Sequence, residues 1–403
     1  MSVAHRPHIL SFVEDLGFGG DEARLLAFAR SIDHTRFRHT IATIRRPDPD
    51  DGGSVRTMHR HFADAGLVVR PLTWYSAGRS TGPRSPLGIV QAPLILLQAA
   101  RALRRVIREE GVDLIDAHLN TANLVGTFVG RMTRTPVVVT LYHARPHVRY
   151  RALTSLAIRF ALVRAQAIVT DSRQRRDEMQ AFVRRESLPI AVIPNGVYPC
   201  TTERSTPEMR RALGLPEDPT VRVIGQVSRL AAFKGHSVLL RAARAVVDAE
   251  PRTCFLFVGF DTRREANRRR LEAQIGALDL GDHVRMVAYP GPIADVWKAI
   301  DIHVHASLFD SLPNAVIEAM SLGKPTVVTS VGGIPEMAQH ESTALVVPPG
   351  DPAALADALL RLLRDPRTAA RLGVAARARY EEAYRPEIMT TRLQELFLEV
   401  LAA

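Results

Sequence analysis

The sequence predicts an α/β chain of two doubly wound parallel sheets. Short β-branched runs alternate with helical stretches throughout, the alternation restarts after Pro194-Asn195-Gly196, and 403 residues exceed what one hydrophobic core organises. In the first half, apolar runs bounded by polar residues place strands at 8–13, 39–44, 112–117, 137–141, 167–170 and 190–193. Helical spacing fills the intervals at 22–31, 93–110 and 151–164. The segments 45–53 and 76–86, rich in turn-forming residues, read as loops beside a binding site.

The second half repeats the pattern, with strands at 221–227, 254–258, 283–287, 302–305 and 326–329. Pro194 and the Asn195-Gly196 pair form a turn, and the polar run 201–207 suits a hinge between domains whose sheets face a gap.

Composition places the chain among globular proteins, since 46% of residues are hydrophobic and 24% charged. The apolar stretch 87–103 is interrupted by Gly88, Gln91, Pro93, Gln98 and Arg101, too often for a bilayer span. The N-terminus lacks the basic, apolar, small-residue progression of a signal peptide, which predicts residence in the cytoplasm. Cys200 and Cys254 match no C-x-x-C pattern and read as structural.

Charge is asymmetric. Residues 1–200 hold 28 Arg and no Lys against 17 acidic residues, whereas 201–403 hold 25 basic and 25 acidic, so the net +11 lies in the first half. Two readings stand together: a surface for an anionic partner such as lipid headgroups, and a coding bias toward Arg. No nucleic-acid motif accompanies the charge, which excludes that partner.

Phosphate recognition is written after the strand at 221–227. It ends in Ser228-Arg229-Leu230, and Lys234-Gly235 follows before a helix from about His236. An Arg fork and a mobile Lys at one strand end suit a diphosphate, although such residues near turns are ordinarily just solvated. Gly17-Phe18-Gly19-Gly20 follows the first strand and opens a helix, where free amides attract phosphate; a tight structural turn is the plainer reading. It is neither G-x-G-x-x-G nor a Walker A loop.

The densest stretch is 309–337. Pro313 fits a first helical turn, so Asp310 and Ser311 precede a helix start, and Glu318 lies ~7 Å deeper along the axis. Gly323-Lys324-Pro325 and Gly332-Gly333-Ile334-Pro335-Glu336 complete it.

These pieces together resemble the retaining glycosyltransferases of family 4, also called group 1. The ordered set runs from Gly19-Gly20-Asp21-Glu22 through Asp116-Ala117-His118, Pro194-Asn195-Gly196, Ser228-Arg229-Leu230 and Lys234-Gly235, to Asp310…Glu318 and the Gly-Gly-Ile-Pro-Glu turn. The resemblance implies the GT-B fold: two Rossmann-like domains facing a cleft, the first at 1–193 and the sugar-nucleotide-binding second at 194–385. A C-terminal helix of about 386–403 would pack back on the first.

The same resemblance implies roles. Arg229 and Lys234 would neutralise the donor diphosphate, and the amides of Gly19 and Gly20 would approach its distal phosphate. Asp310 with the amides of Ser311, Leu312, Pro313 and Asn314 (Pro313 itself supplying only its carbonyl and ring) would hold the sugar. Glu318 would bind the ribose, His118 would sit beside the transferred sugar, and Val287, Ala288 and Tyr289 would flank the base. The family's first acid is Glu, and Asp310 is one methylene shorter, which alters the sugar contact.

The implied chemistry is a retaining, metal-independent transfer from a nucleoside diphosphate sugar to a glycan, glycolipid or lipid-linked acceptor in cell-surface polysaccharide or glycolipid synthesis. Preorganised cations would stabilise the leaving diphosphate, with no cofactor and no protein nucleophile. The expected location is cytoplasmic, peripheral at the inner membrane face. Alternatives are an epimerase or phosphorylase of the same fold, a glycosidase using Asp310 and Glu318, which would leave the cations without an anion, and an inactive glycan-binding scaffold.

Plainer roles compete elsewhere. His118 alone would read as a structural histidine, and His303 with His305 could share a metal but lack a third ligand. His59 and His61 read as exposed. The basic segment 145–164 carries Leu153, Leu156, Ala157 and Phe160 at helical spacing; packing on the sheet is preferred there to resting on a membrane.

Overall fold

The computed structural model describes residues 5–17, 19–46, 58–74, 86–141, 151–261 and 265–403. Most of the expected loops at 45–53 and 76–86, the start of the 145–164 segment and the Leu153 side chain lie outside the described residues. The chain divides into two compact units, Met1–Gly196 with Pro386–Ala403, and Val197–Arg385.

The first unit holds a seven-stranded parallel sheet in the order β3-β2-β1-β4-β5-β6-β7. Its strands are β1 (His8–Val13), β2 (Arg38–Thr43), β3 (Val69–Pro71), β4 (Leu114–His118), β5 (Val137–Thr140), β6 (Ala167–Thr170) and β7 (Ile190–Val192). Every residue of β1, β4, β5 and β6 is buried, because helices cover both faces of a parallel sheet. That is why β5 and β6 read as near-continuous apolar runs, whereas β1 and β4 also bury the polar His8, Ser11, Asp116 and His118. The edge strand β3 is three residues ending in Pro71, a residue an edge tolerates and an interior strand does not. Strand order reverses between β1 and β4, the position at which doubly wound sheets open a crevice at their carboxyl ends.

The helix expected from 93 begins earlier, spanning Pro86–Glu110 with Pro93 inside it. The last helix, Pro386–Ala402, packs on Gly20–Ser31: Phe28 and Phe397 meet edge to face at 5.9 Å, and the Asp33 amide donates to Gln394 Oε1 at 2.8 Å. Arg24 is buried and its guanidinium donates to the Ile193 carbonyl at 2.7 Å and to Asn195 Oδ1 at 3.0 Å. The segment leaving β7 is thereby tied to the helix that follows β1.

The second unit is a six-stranded parallel sheet, β10-β9-β8-β11-β12-β13. The strands are β8 (Arg222–Val227), β9 (Thr253–Val258), β10 (Val284–Val287), β11 (Ile302–His305), β12 (Thr326–Thr329) and β13 (Leu345–Val347). Its core joins Leu239, Leu240, Val246, Phe255, Phe257 and Leu359, all fully buried, each worth roughly 1.5–3 kcal/mol relative to exposure. Chain entry and exit are joined, since the Val197 amide donates to the Tyr384 carbonyl at 3.0 Å and the Tyr380 hydroxyl to the Val197 carbonyl at 2.8 Å. The order reverses between β8 and β11, which sets the carboxyl ends of those two strands beside the expected phosphate and sugar residues.

Cys200 is half-buried and Cys254 buried, both as free thiols; burial raises both, Cys254 to about 11. Among the described residues no helix is long and apolar enough to cross a membrane.

Candidate functional site

In the second unit, β8 delivers Ser228 and Arg229 at its carboxyl end, and a single turn of 3-10 helix, Ala232–Lys234, presents Lys234. Gly235 then takes φ +72°, and a Cβ there would stand 1.8 Å from the Ala306 carbonyl oxygen, so only glycine lets the turn close against the chain leaving β11. Buried Gln226 fixes both sides. Its amide donates to the Lys234 carbonyl at 2.8 Å and its oxygen accepts from the Ala306 amide at 3.1 Å. Lys234 is 9% exposed, whereas Arg229 is exposed, with its guanidinium 6.0 Å from the centre of the Phe233 ring.

Lys234 Nζ donates to Asp310 Oδ2 at 2.5 Å, and the same oxygen accepts from His305 Nε2 at 2.7 Å and Ser307 Oγ at 3.0 Å. Oδ1 accepts from the Ser311 amide at 3.2 Å. Burial works to raise this carboxyl, and the Lys234 charge and the His305 bond overcome it, holding Asp310 well below the usual carboxylate range. Burial likewise lowers His305 despite Asp310 beside it. The short acid is therefore an anchor for Lys234 and the β11 turn.

The following helix, Asn314–Ser321, starts one residue later than the sequence suggested. Pro313 sits at its cap with φ −70° and ψ 124°, because the chain is still extended as it leaves the Asp310 turn. Gly332, at φ +57°, lets the Gly-Gly turn approach Asp310, whose carbonyl oxygen lies 2.1 Å from where a Cβ would stand. The Gly333 amide then donates to the Ser311 carbonyl at 3.0 Å. Partly buried Glu318 accepts from Trp297 Nε1 at 3.0 Å; burial pushes its carboxyl up, opposed by that bond. Val287 ends β10, with exposed Ala288 and half-buried Tyr289 beyond it, and the Tyr289 hydroxyl donates to Asp295 Oδ2 at 3.0 Å.

In the first unit, Gly19 caps the helix Gly20–Ser31, whose first turn carries Asp21 and Glu22. A Cβ at Gly19 would meet Glu22 Oε2 at 2.6 Å, so the glycine leaves room for that carboxylate to fold back over the turn. At the end of β4, alternate residues share a face, which sets His118 Nε2 2.8 Å from Asp116 Oδ2. Both are buried, and Ser11 Oγ donates to the same carboxylate at 3.2 Å. Burial works to raise Asp116, and His118 holds it down as a carboxylate. The imidazole therefore donates from Nε2, and Nδ1, buried without a partner among the described residues, is its remaining hydrogen-bonding atom. Leu119 follows at φ +67°, a conformation costing a non-glycine residue about 1–3 kcal/mol, directly beside this pair.

The second unit thus brings Arg229, Lys234, Asp310, Ser311, Leu312, Pro313, Asn314, Glu318 and the Val287–Tyr289 segment to the carboxyl ends of β8, β10 and β11. Gly19, Gly20 and His118 lie at the carboxyl ends of β1 and β4. Sequence reading missed Asp116, Gln226, Trp297 and Ser307, and took His305 only as a metal candidate. The spacing His305-x-Ser307-x-x-Asp310 was a local signal for the anchor; Trp297 and Gln226 gave none. His303 is fully buried, paired through Nδ1 with the Gly225 carbonyl at 3.1 Å, and burial lowers it to about 3. No group of three or more metal-ligating side chains occurs among the described residues.

Comparison with known proteins identifies the family and the fold. Residues 205–379 match the family described as glycosyl transferases group 1, and residues 19–196 match the glycosyl transferase 4-like domain. The chain is similar to D-inositol 3-phosphate glycosyltransferase of Corynebacterium jeikeium, 28% identical over 305 residues, covering 70% of this chain and 72% of that one. It is also similar to 2-deoxystreptamine glucosyltransferase of Streptomyces kanamyceticus, 28% identical over 63% of this chain and 69% of that one. Among solved structures, Anabaena Alr3699/HepE in complex with UDP-glucose superposes with a TM-score of 0.78 at 21% identity, covering 97% of this chain and 99% of that one.

Proposed function

Since this chain is a group 1 glycosyltransferase of the GT-B fold, we propose that it moves a sugar from a nucleoside diphosphate donor to a glycan, glycolipid or lipid-linked acceptor, with retention and without a metal. The observation that carries the donor assignment is the pair of cations at the end of β8, one desolvated and anchored, the other exposed. Binding of UDP-glucose by the Anabaena protein supports the same donor class.

Arg229 engages the diphosphate with its planar fork, and Lys234, held by Asp310, offers its charge from a low-dielectric position where it acts strongly on the developing negative charge of the leaving group. Glu318 keeps one oxygen on Trp297 and turns the other to the ribose hydroxyls. The amides from Ser311 to Asn314 that carry a hydrogen take the sugar hydroxyls, while Asp310 is largely engaged by the protein. In the first unit, Gly19 and Gly20 at a helix start are the groups this reading assigns to a phosphate, and His118, through Nδ1, the one it assigns to a sugar hydroxyl. The acceptor's proton passes to the departing phosphate oxygen, so no side chain serves as nucleophile. The enzyme works in the cytoplasm, peripheral to the inner membrane face, in surface polysaccharide or glycolipid synthesis.

A second acceptor reading has specific support. The named relatives act on inositol 3-phosphate and 2-deoxystreptamine, both small polyhydroxylated carbocycles, which favours a cyclitol acceptor.

Thermal-shift screening of UDP-, GDP- and ADP-sugars tests the donor assignment, because a ligand of the native state raises the melting temperature. Arg229→Ala and Lys234→Ala should each abolish the shift given by the best donor. A full shift retained in both variants overturns the assignment. The anomeric configuration of the product, followed by NMR in EDTA, tests retention and metal independence together.

A further inference from the structure

We propose that the helical face formed by Pro86–Glu110, Asn120–Thr133 and Arg151–Leu162 docks on an anionic lipid bilayer; this deepens the peripheral-membrane reading above by naming the surface. The connections β3 to β4, β4 to β5 and β5 to β6 advance in one direction across the sheet, so right-handed crossovers put all three helices on the same side. Each packs on the next.

Leu94, Leu97, Phe128, Met132, Leu156 and Phe160 all project from this layer, between 46% and 64% exposed. The expectation that Leu156 and Phe160 pack on the sheet is therefore corrected: Leu162 and partly buried Ile158 join the core around the sheet, and Leu156 and Phe160 are exposed. Six large apolar side chains exposed on neighbouring helices of one layer are a feature of interaction surfaces.

Charge identifies the occupant. Residues 86–164 hold 11 Arg and only four acidic residues, Glu109, Glu110, Asp113 and Asp116, and the helices Asn120–Thr133 and Arg151–Leu162 hold no acid at all. Arg101, Arg105, Arg131, Arg134 and Arg164 are exposed. The Arg164 guanidinium lies 3.3 Å from the centre of the Phe160 ring, so a cation and an aromatic ring sit at one level, as at a headgroup boundary. A cavity of about 350 Å³ beside them is lined by Leu156, Phe182, Arg159 and Arg184, an apolar floor with two guanidinium groups for a lipid phosphate. A symmetric pairing of two copies through this face would oppose like charges, which disfavours self-association as the use of the patch.

The full-length chain is to be co-sedimented with phosphatidylcholine vesicles with and without phosphatidylglycerol, at low and high salt. Binding should require phosphatidylglycerol, weaken with salt, and fall about fivefold for each of Arg131→Gln and Arg134→Gln. Leu156→Asp/Phe160→Asp and Phe128→Asp/Met132→Asp should lose binding while keeping the donor-induced thermal shift. Equal sedimentation of these variants and the parent chain overturns the proposal, as does absence of binding at low salt or a salt-resistant dimer that the same substitutions dissociate. A parent chain that binds vesicles but shows no donor-induced shift counts against the catalytic reading alone.

Discussion

Replacing Asp310 with Asn tests whether the short acid exists to hold Lys234. In the native protein its Oδ2 takes the Lys234 ammonium at 2.5 Å, His305 at 2.7 Å and Ser307 at 3.0 Å, and Lys234 is only 9% exposed. Neutralising the acid strands a desolvated positive charge, and breaking a buried pair from one side costs about 3–5 kcal/mol. For a unit of this size each kcal/mol moves the melting temperature about 2–4 °C, so D310N should melt roughly 6–20 °C below the parent chain. The double variant D310N/K234M, which removes both charges, should recover most of that loss, and differential scanning calorimetry of all four proteins closes the cycle. The pH dependence follows from the sign of the shift. Asp310 lies well below its unfolded value, so its contribution is fully present above the ordinary carboxylate range and is lost progressively as pH falls below that range toward the depressed native value. In K234M the native Asp310 value rises toward the unfolded one, so the loss is smaller and is complete at higher pH. An unchanged melting temperature in D310N, or a double variant as unstable as the sum of the two singles, refutes the anchor.

Two further outcomes are expected. Burial raises Glu318, so the parent chain loses stability as pH rises through the window above the unfolded carboxylate value; E318Q should remove that loss and melt higher at pH 8 while binding nucleotide about tenfold more weakly, measured by calorimetry on the same samples. Asp116→Asn removes the carboxylate that orients His118; one such hydrogen bond is worth about 1.4 kcal/mol, so kcat should fall about tenfold with nucleotide affinity unchanged, and equal turnover would separate His118 from its partner.

Much of the fold is legible because parallel strands buried on both faces are rich in apolar and β-branched residues. Ala167–Thr170 and Thr326–Thr329 have the bounds their runs predict, and so does Ile302–His305, although it buries two histidines. Val69–Pro71 and Leu345–Val347 escape that logic, being three-residue edge strands whose pattern is no stronger than a loop's. Pro93 hid the first turns of its helix, since a proline ordinarily ends one. In the site, phosphate and sugar residues announce themselves through turn glycines and local spacing. Their supports do not: Lys234 meets Asp310 across 76 positions, Trp297 meets Glu318 across 21, and only the folded sheet makes them neighbours. The pairing of Asp116 with His118 is a strand property, two residues apart on one face.

The helix Pro386–Ala402 belongs to the first unit although it follows the whole of the second in the chain. As the chain emerges from the ribosome, Val197–Arg385 has all its own residues before Phe28 has Phe397 to lean on or the Asp33 amide has Gln394. The half made first is thus finished second. A truncation just before Pro386 would spare the second sheet and strip the first unit of this helix, exposing the apolar side of Gly20–Ser31 to every chaperone and protease in reach.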